Sequence, residues 1–266
     1  MTETNNRTPI QRRKTRRVHI GEVAVGGGAP ISVQTMTKTR TGDVEATLAQ
    51  IHHCTHAGCD IIRIAVPEAE DAEALRAIVP ASPLPIVADI HFDHKLALAA
   101  LDAGVQGLRL NPGNLRGEER IAQIARKAEE RGVPIRVGVN AGSLPVELRR
   151  LAESGARSLP EAMAEAALGQ ARLLEQVGFK QIKVSLKASD VQTTLAAHRL
   201  LAGRCDYPFH VGITEAGPIL RGTVKSALGI GTLLLEGLVD TLRVSLTGPP
   251  EEEVRIGRLI LQAAGM

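Results

Sequence analysis

The segment Ile86-Val87-Ala88-Asp89-Ile90-His91, followed by the helical stretch His94–Ala103 and then by Gly107-Leu108-Arg109-Leu110-Asn111, decides the fold. In a strand, residues two apart point to the same face, so Asp89 projects with His91, and Arg109 with Asn111. Each pair stands where an apolar run stops. The arrangement recurs at Ser185-Leu186-Lys187 and at Arg243-Val244-Ser245. Polar pairs repeated at the ends of strands, each strand backed by a helix, place a polar site at the mouth of a parallel barrel.

Outward from this segment, eight strands are predicted, each with a helical pattern behind it. They are Ile31–Thr35, Ile61–Ala65, Ile86–Asp89, Gly107–Asn111, Ile135–Val139, Gln181–Ser185, Phe209–Ile213 and Thr241–Ser245. The helices are Val44–Ala57, Glu68–Val79, His94–Ala103, Arg116–Arg131, Glu161–Val177, Val191–Ala202, Thr223–Leu238 and Glu251–Ala264. A hairpin over Val18–Val25 precedes them and ends in Gly26-Gly27-Gly28. A phosphate loop needs the order strand, loop, helix, so this glycine run reads as a turn. The fold class is therefore α/β, a (β/α)8 TIM barrel with a short N-terminal β-hairpin; a doubly wound sheet is the structural alternative. Between the fifth and sixth strands, Gly142–Arg157 inserts an extra segment over one rim.

At 266 residues, 44% of them hydrophobic, the chain fits one large domain with an aliphatic core: no Trp, one Tyr and three Phe. So few aromatics speak against a base-stacking nucleic-acid surface. Residues 1–17 form a basic arm, with Arg7, Arg12, Arg13, Lys14, Arg16 and Arg17 against Glu3 alone. The arm's net +5 leaves −2 of the total +3 for the barrel, residues 18–266. Nucleic acid or membrane binding by the arm is weighed against a solvated terminus that packs in part on the barrel base, and the second reading is preferred. No apolar run reaches the roughly 18 residues of a membrane span, and no secretory h-region opens the chain, which implies a cytoplasmic protein. Cys54, Cys59 and Cys205 are odd in number and form no CxxC pair. Free thiols in a reducing compartment are expected, with a metal site near Cys54, Cys59, His52, His53 and His56 as the alternative.

Active sites of such barrels sit at the C-terminal strand ends. The cations there carry the most information, because Arg63, Arg109, Lys187 and Arg243 come from four different strands and would converge. Convergent cations in a partly dry cavity repel one another unless an anion sits among them, and guanidinium forks favour phosphate. A phosphorylated or diphosphorylated small molecule is the expected ligand. Bland readings stand beside this one: Arg63 paired with Asp89 or Glu215, Arg109 and Arg243 in lower-layer ion pairs, Lys187 as a loop cation. Asn111 and Asn140 suit turns as well as ligands, and His91 suits a supporting role. Glu215, in Ile213-Thr214-Glu215-Ala216-Gly217, suits a general acid or a partner for substrate hydroxyls.

Several stretches together resemble the family of 4-hydroxy-3-methylbut-2-enyl diphosphate synthases, iron–sulfur enzymes of the non-mevalonate isoprenoid pathway. They are Val25–Thr37, Ala88–Phe92, Leu108–Asn114, Ile135–Asn140, Val184–Asp190, Gly212–Gly217 and Leu242–Thr247. The resemblance implies a barrel that binds 2-C-methyl-D-erythritol 2,4-cyclodiphosphate for two-electron reductive ring opening and dehydroxylation. It implies that Arg63, Arg109, Lys187, Arg243 and Ser245 hold the diphosphate and that His91, Asn140 and Thr214 contact phosphate or polyol oxygens. Asp89, Asn111 and Ser185 complete the expected substrate site, and Glu215 would manage protons at the departing hydroxyl. The family carries a [4Fe–4S] cluster on a C-terminal domain with a Cys-Pro-x-Cys-Gly-type motif, which none of the three cysteines here fits. The expectation is thus a barrel without its cluster domain, inactive alone, with flavodoxin or ferredoxin as electron donor and a homodimeric assembly. The alternatives are a self-sufficient barrel like the pterin-binding synthases and a non-catalytic phosphate-ligand-binding barrel.

Overall fold

The computed structural model describes residues 10–91, 93–111, 115 and 117–266. Expectations that rest on Glu3, Arg7, Phe92, residues 112–114 or Arg116 lie outside the described residues. The chain opens on the antiparallel hairpin of β1 (Arg17–Ile20) and β2 (Val23–Gly26). Eight parallel strands follow: β3 (Ser32–Met36), β4 (Ile61–Ala65), β5 (Ile86–Asp89), β6 (Gly107–Leu110), β7 (Ile135–Asn140), β8 (Ile182–Lys187), β9 (His210–Val211) and β10 (Thr241–Leu242). Between and after them run α1 (Val44–His56), α2 (Ala69–Ala81), α3 (His94–Asp102), α4 (Glu118–Glu130), α5 (Val146–Glu153), α6 (Leu159–Gln176), α7 (Val191–Ala202), α8 (Ile219–Leu235) and α9 (Pro250–Ala263). The strand order β8-β7-β6-β5-β4-β3-β10-β9 is closed by a parallel bridge between Val184 and Phe209. A doubly wound sheet would leave two edges open, so the structure is a (β/α)8 barrel.

Local chemistry sets the helix ends. The Asp43 carboxylate accepts the Ala46 N–H at 3.0 Å and caps α1, and Gly58, at φ +91°, takes the chain out of it. Ser158 and Glu161 form a reciprocal capping box that starts α6. The inserted rim segment folds as a 3-10 turn, Ala141–Ser143, followed by α5.

Barrel interiors of this class are normally filled by branched aliphatic side chains. Here the inward positions of the strands are polar: Ser32 and Gln34 on β3, Arg63 on β4, Asp89 on β5, Arg109 on β6, Arg136 on β7, and Lys183, Ser185 and Lys187 on β8. The apolar seal is moved to the floor. Val18, Ile20 and Val25 of the hairpin pack with Ile61 and Val87, a cluster separate from the main core between strands and helices. Gly107 makes room for this plug, since a Cβ there would meet Val87 Cγ2 at 2.9 Å and Ile20 Cγ2 at 3.5 Å.

The basic arm is tied down where it is described. Arg12 pairs with Asp240 at 3.1 Å, and Arg16 pairs with Asp206 at 2.7 Å. The Arg13 guanidinium lies 3.9 Å from the centroid of the Phe209 ring and donates to the carbonyls of Cys205 and Tyr207. These cations are engaged with the barrel base, in line with the packing reading of the arm.

His198 of α7 is fully buried, with its Nδ1 2.8 Å from the Thr194 carbonyl and its ring edge-on to Phe209. Burial lowers its pKa to about 4. An unfolded imidazole titrates near ~6.5. Between these values the unfolded chain binds the extra proton, so the contribution is complete above ~6.5 and is lost as the pH falls toward the folded value. Unfolding at pH 7 and pH 4.5 should show His198→Phe losing less stability than the parent, by about 2 kcal/mol. Equal acid losses in the two proteins would count against a neutral buried imidazole.

Candidate functional site

At the C-terminal mouth, one cavity of about 100 Å³ is lined by Arg63, Asp89, His91, Arg109, Arg136, Asn140, Ser185, Lys187, Thr214, Arg243 and Ser245. These residues come from β4, β5, β6, β7 and β8 and from the segments after β5, β9 and β10. Parallel register explains the convergence. Asp89 is paired with Arg109, Arg109 with Arg136, Gly138 with Ser185, and Asn140 with Lys187, so the polar ends stand side by side around the rim. Gly138 gives Arg109 its place, because a Cβ would lie 3.0 Å from Arg109 Nε and 3.3 Å from Ser185 Oγ.

Among the described lining residues five are Arg or Lys, and one, Asp89, is a carboxylate. Asp89 lies 3.2 Å from Arg109 NH1 and 3.6 Å from Arg63 Nε. Burial alone would push its carboxyl up. Arg63, the His91 hydrogen bond, Arg109 and Arg136 outweigh that and hold it well below the usual carboxylate range. His91 shares the arrangement, its Nε2 3.0 Å from Arg109 NH1 and 3.5 Å from Asp89 Oδ1.

Arg63, Lys187 and Arg136 find less compensation. Arg63 donates to the Met36 sulfur from Nε at 3.2 Å and from NH2 at 3.0 Å; a thioether is a weak acceptor. Burial, against the attraction of Asp89 and with the repulsion of Arg243 and Arg109, lowers the Arg63 pKa to about 10. Lys187 Nζ is 3.5 Å from His210 Nε2, both side chains buried. Burial first, and then Arg136, Arg63, Arg243 and Arg109, lower the Lys187 ammonium well below its ordinary value. Arg136 Nε and NH1 are buried without a hydrogen-bond partner, as is the nitrogen of Lys183, its neighbour in register on β8. Buried charge without a counter-charge is unfavourable, and a polyanion at the mouth is the ligand that would relieve it.

The structure brings Arg63, Asp89, His91, Arg109, Asn140, Ser185, Lys187, Thr214, Arg243 and Ser245 to one cavity. Two expected residues do not line it. Asn111, at the end of β6, is buried, and its Oδ1 has no partner. Glu215 is exposed in the segment after β9, in the left-handed region at φ +49°, while its neighbour Thr214 lines the cavity. Some bland readings hold together with the ligand reading: Arg63 and Arg109 do pair with Asp89, and Asn140 does precede a turn, yet all three line the cavity. Arg136 was missed. Its signal was its place four residues before Asn140 on one strand face.

The cysteines are elsewhere. Cys54 and Cys59 are buried in the wall between α1 and β4, and burial pushes both thiols up to about 12. Cys205 follows α7 near the barrel base, beside Arg13. Thiolates are needed to bind an iron–sulfur cluster, and among the described residues no group of three or more Cys, His, Asp or Glu is arranged to hold a metal. The residues present therefore do not fit a [4Fe–4S] cluster.

Comparison with known proteins bears on both fold and family. A dihydropteroate synthase from Xanthomonas albilineans superposes with a TM-score of 0.59 at 13% identity, covering 94% of this chain and 98% of that one. A type I 3-dehydroquinate dehydratase from Clostridium difficile gives 0.63 at 11% identity, covering 94% and 98%. At such identities the likeness is one of fold alone. Sequence relatives are much nearer. The chain is 56% identical over 253 residues to a 4-hydroxy-3-methylbut-2-en-1-yl diphosphate synthase (flavodoxin) of Geobacter sulfurreducens, covering 95% of this chain and 71% of that protein. It is 52% identical over 256 residues to the enzyme of the same name from Frankia casuarinae, covering 96% of this chain and 66% of that protein. Residues 15–258 match the model of the GcpE TIM-barrel domain. The chain belongs to the GcpE TIM-barrel family.

Proposed function

We propose that this chain is the substrate-binding barrel of a 4-hydroxy-3-methylbut-2-enyl diphosphate synthase, and that its mouth binds 2-C-methyl-D-erythritol 2,4-cyclodiphosphate. The observation that carries the reading is the cavity whose described lining gathers Arg63, Arg109, Arg136, Lys187 and Arg243 with one carboxylate, Asp89. In this reading the cations and Ser245 hold the diphosphate, while His91, Asn140, Ser185 and Thr214 meet phosphate or polyol oxygens. Asn111 supports the end of β6 next to Arg109. Glu215 serves the departing hydroxyl, which requires its rim segment to swing inward.

The chemistry assigned to these residues is binding, orientation and charge neutralisation of a cyclic diphosphate. The two-electron reduction belongs to the complete enzyme. Its [4Fe–4S] cluster would sit on a separate domain, because the cysteines here do not fit one. Flavodoxin, which the relatives' names carry, is the proposed donor, with ferredoxin as the other small donor of the family. A homodimer is proposed through the apolar face where Leu220, Val224, Leu228 and Leu235 of α8 and Leu259 of α9 are exposed. Among the described residues no helix is long and apolar enough to cross a membrane; a cytoplasmic place is proposed, and nucleic acid is not a proposed partner.

Calorimetric titration with the cyclodiphosphate tests the reading. Binding should be accompanied by proton uptake, because an anion at the mouth favours the Lys187 ammonium that burial and neighbouring cations disfavour in the free protein. Affinity should therefore rise as the pH falls from the ordinary lysine range of ~10.4 toward the lowered free-state value. Repeating the titration in buffers of different ionisation enthalpy measures the uptake. Absence of binding would sink the proposal, and binding with proton release would remove Lys187 from the contact.

A further inference from the structure

The first turn of α9 contains three consecutive acids, Glu251, Glu252 and Glu253, of which Glu253 alone is fully buried. Its carboxylate is inserted between the first and last barrel strands. Oε2 accepts the Thr35 hydroxyl of β3 at 2.6 Å and lies 3.4 Å from both Nε and NH2 of Arg243. Oε1 accepts the Leu246 N–H at 3.0 Å and forms an ion pair with the Lys38 ammonium at 2.9 Å. One carboxylate therefore ties the end of β3, the segment after it, the continuation of β10 and the segment after that. Close approach of the helix makes this reach possible. Gly257, one turn further on, has no side chain where a Cβ would meet Val33 Cγ1 at 2.9 Å.

On its other side, the Arg243 guanidinium has among the described residues only the Met36 sulfur, 3.9 Å from NH1. Arg63 uses the same sulfur, so Met36 separates two cations without neutralising either. Glu253 is thus the group that fixes the plane of Arg243 at the cavity wall, from behind, with its own oxygens engaged by other donors.

We propose that Glu253 is a positioning residue of the anion site, acting through Arg243. The proposal rests on reading the cavity as a diphosphate site. It makes a prediction opposite in sign to simple electrostatics. Removing a carboxylate next to the cations raises the positive potential of the cavity and, by charge alone, would tighten anion binding. If orientation governs, Glu253→Gln weakens binding, because the amide holds Arg243 with fewer and weaker bonds.

Inorganic pyrophosphate is the probe, titrated calorimetrically into the intact chain at fixed ionic strength, with thermal unfolding as the check on folding. Glu253→Gln should bind about tenfold more weakly than the parent, the worth of one hydrogen bond to a charged group. The loss should vanish in the Arg243→Ala background, where there is no guanidinium left to position. Thr35→Val, which keeps the charge and deletes the shortest bond to Oε2, should show a smaller loss that vanishes in the same background. It decides the question alone if the glutamine variant does not fold. Unchanged or tighter binding overturns the proposal. So does a loss that persists without Arg243, which is the mark of a merely structural residue. Failure of the parent chain to bind pyrophosphate overturns the diphosphate reading and the proposal together, whereas normal parent binding with unaffected variants overturns the proposal alone.

Discussion

Asp89→Ala should lower the stability of the anion-free protein by about 3–5 kcal/mol, the usual cost of removing one partner from a buried ion pair. Asp89 lies within 3.6 Å of Arg63 and 3.2 Å of Arg109 and is the one carboxylate among the described residues of the cavity wall. Without it, Arg63, Arg109 and Arg136 face one another across a small buried space. A bound polyanion would take over the neutralising part, so the deficit should shrink when pyrophosphate is present. Denaturant unfolding with and without pyrophosphate measures both quantities. A variant equally destabilised in the two conditions would show that the wall residues do not share an anion. A variant as stable as the parent would show that Asp89 compensates nothing.

The second large effect is steric. Gly212 follows β9, where the chain crosses close to β10. A Cβ added there would lie far inside van der Waals contact with the Arg243 carbonyl oxygen and 3.5 Å from Lys187 Nζ. The obstacle is backbone, and it cannot rotate away. Gly212→Ala should therefore cost upwards of about 3 kcal/mol, at the high end for overpacking, and should weaken pyrophosphate binding by displacing Lys187 and Arg243 together. Gly169, exposed in α6, is the control, since a Cβ there meets nothing within 4 Å. Gly169→Ala should stabilise by roughly 0.5–1 kcal/mol through helix propensity. Equal behaviour of the two variants, read by chemical unfolding, would contradict the close-approach argument.

Strand ends were legible because pleating is a period-two rule that needs no tertiary knowledge. Asp89 with His91, and Ser185 with Lys187, fall on one face whatever surrounds them. The rule applied one step further would have included Arg136, but a cation in mid-strand next to Val137 reads as an exception to an apolar run rather than as a wall residue. Lys183 was hidden for the same reason. Glu253 was illegible in a different way. Three acids in the first turn of a helix suit the helix dipole equally well. Only the depth to which α9 docks, set by Gly257 against Val33, distinguishes the buried one. Backbone conformation in the segment after β9 was beyond reach too, since nothing in Thr214-Glu215-Ala216 signals that Glu215 takes a positive φ. Strands β9 and β10 were expected at five residues each and form regular ladders over two. The Arg243 N–H still reaches the Val211 carbonyl at 2.9 Å, so the inward direction of Arg243 was read correctly although the strand was overdrawn.

The Thr35–Glu253 hydrogen bond joins residues 218 apart, and β3 pairs with β10 along the same seam. On a ribosome, β3 finds β4 early but waits through nearly the whole synthesis of the barrel for β10 and Glu253. Contacts this distant form late, after the intervening helices and strands have already collapsed. Arg63 and Asp89 can meet early, because their strands are neighbours in sequence, but Arg243 acquires its anchor only when α9 docks. The mouth is thus competent for a polyanion only after the final helix is in place, and a nascent barrel presents its cations in a half-formed ring.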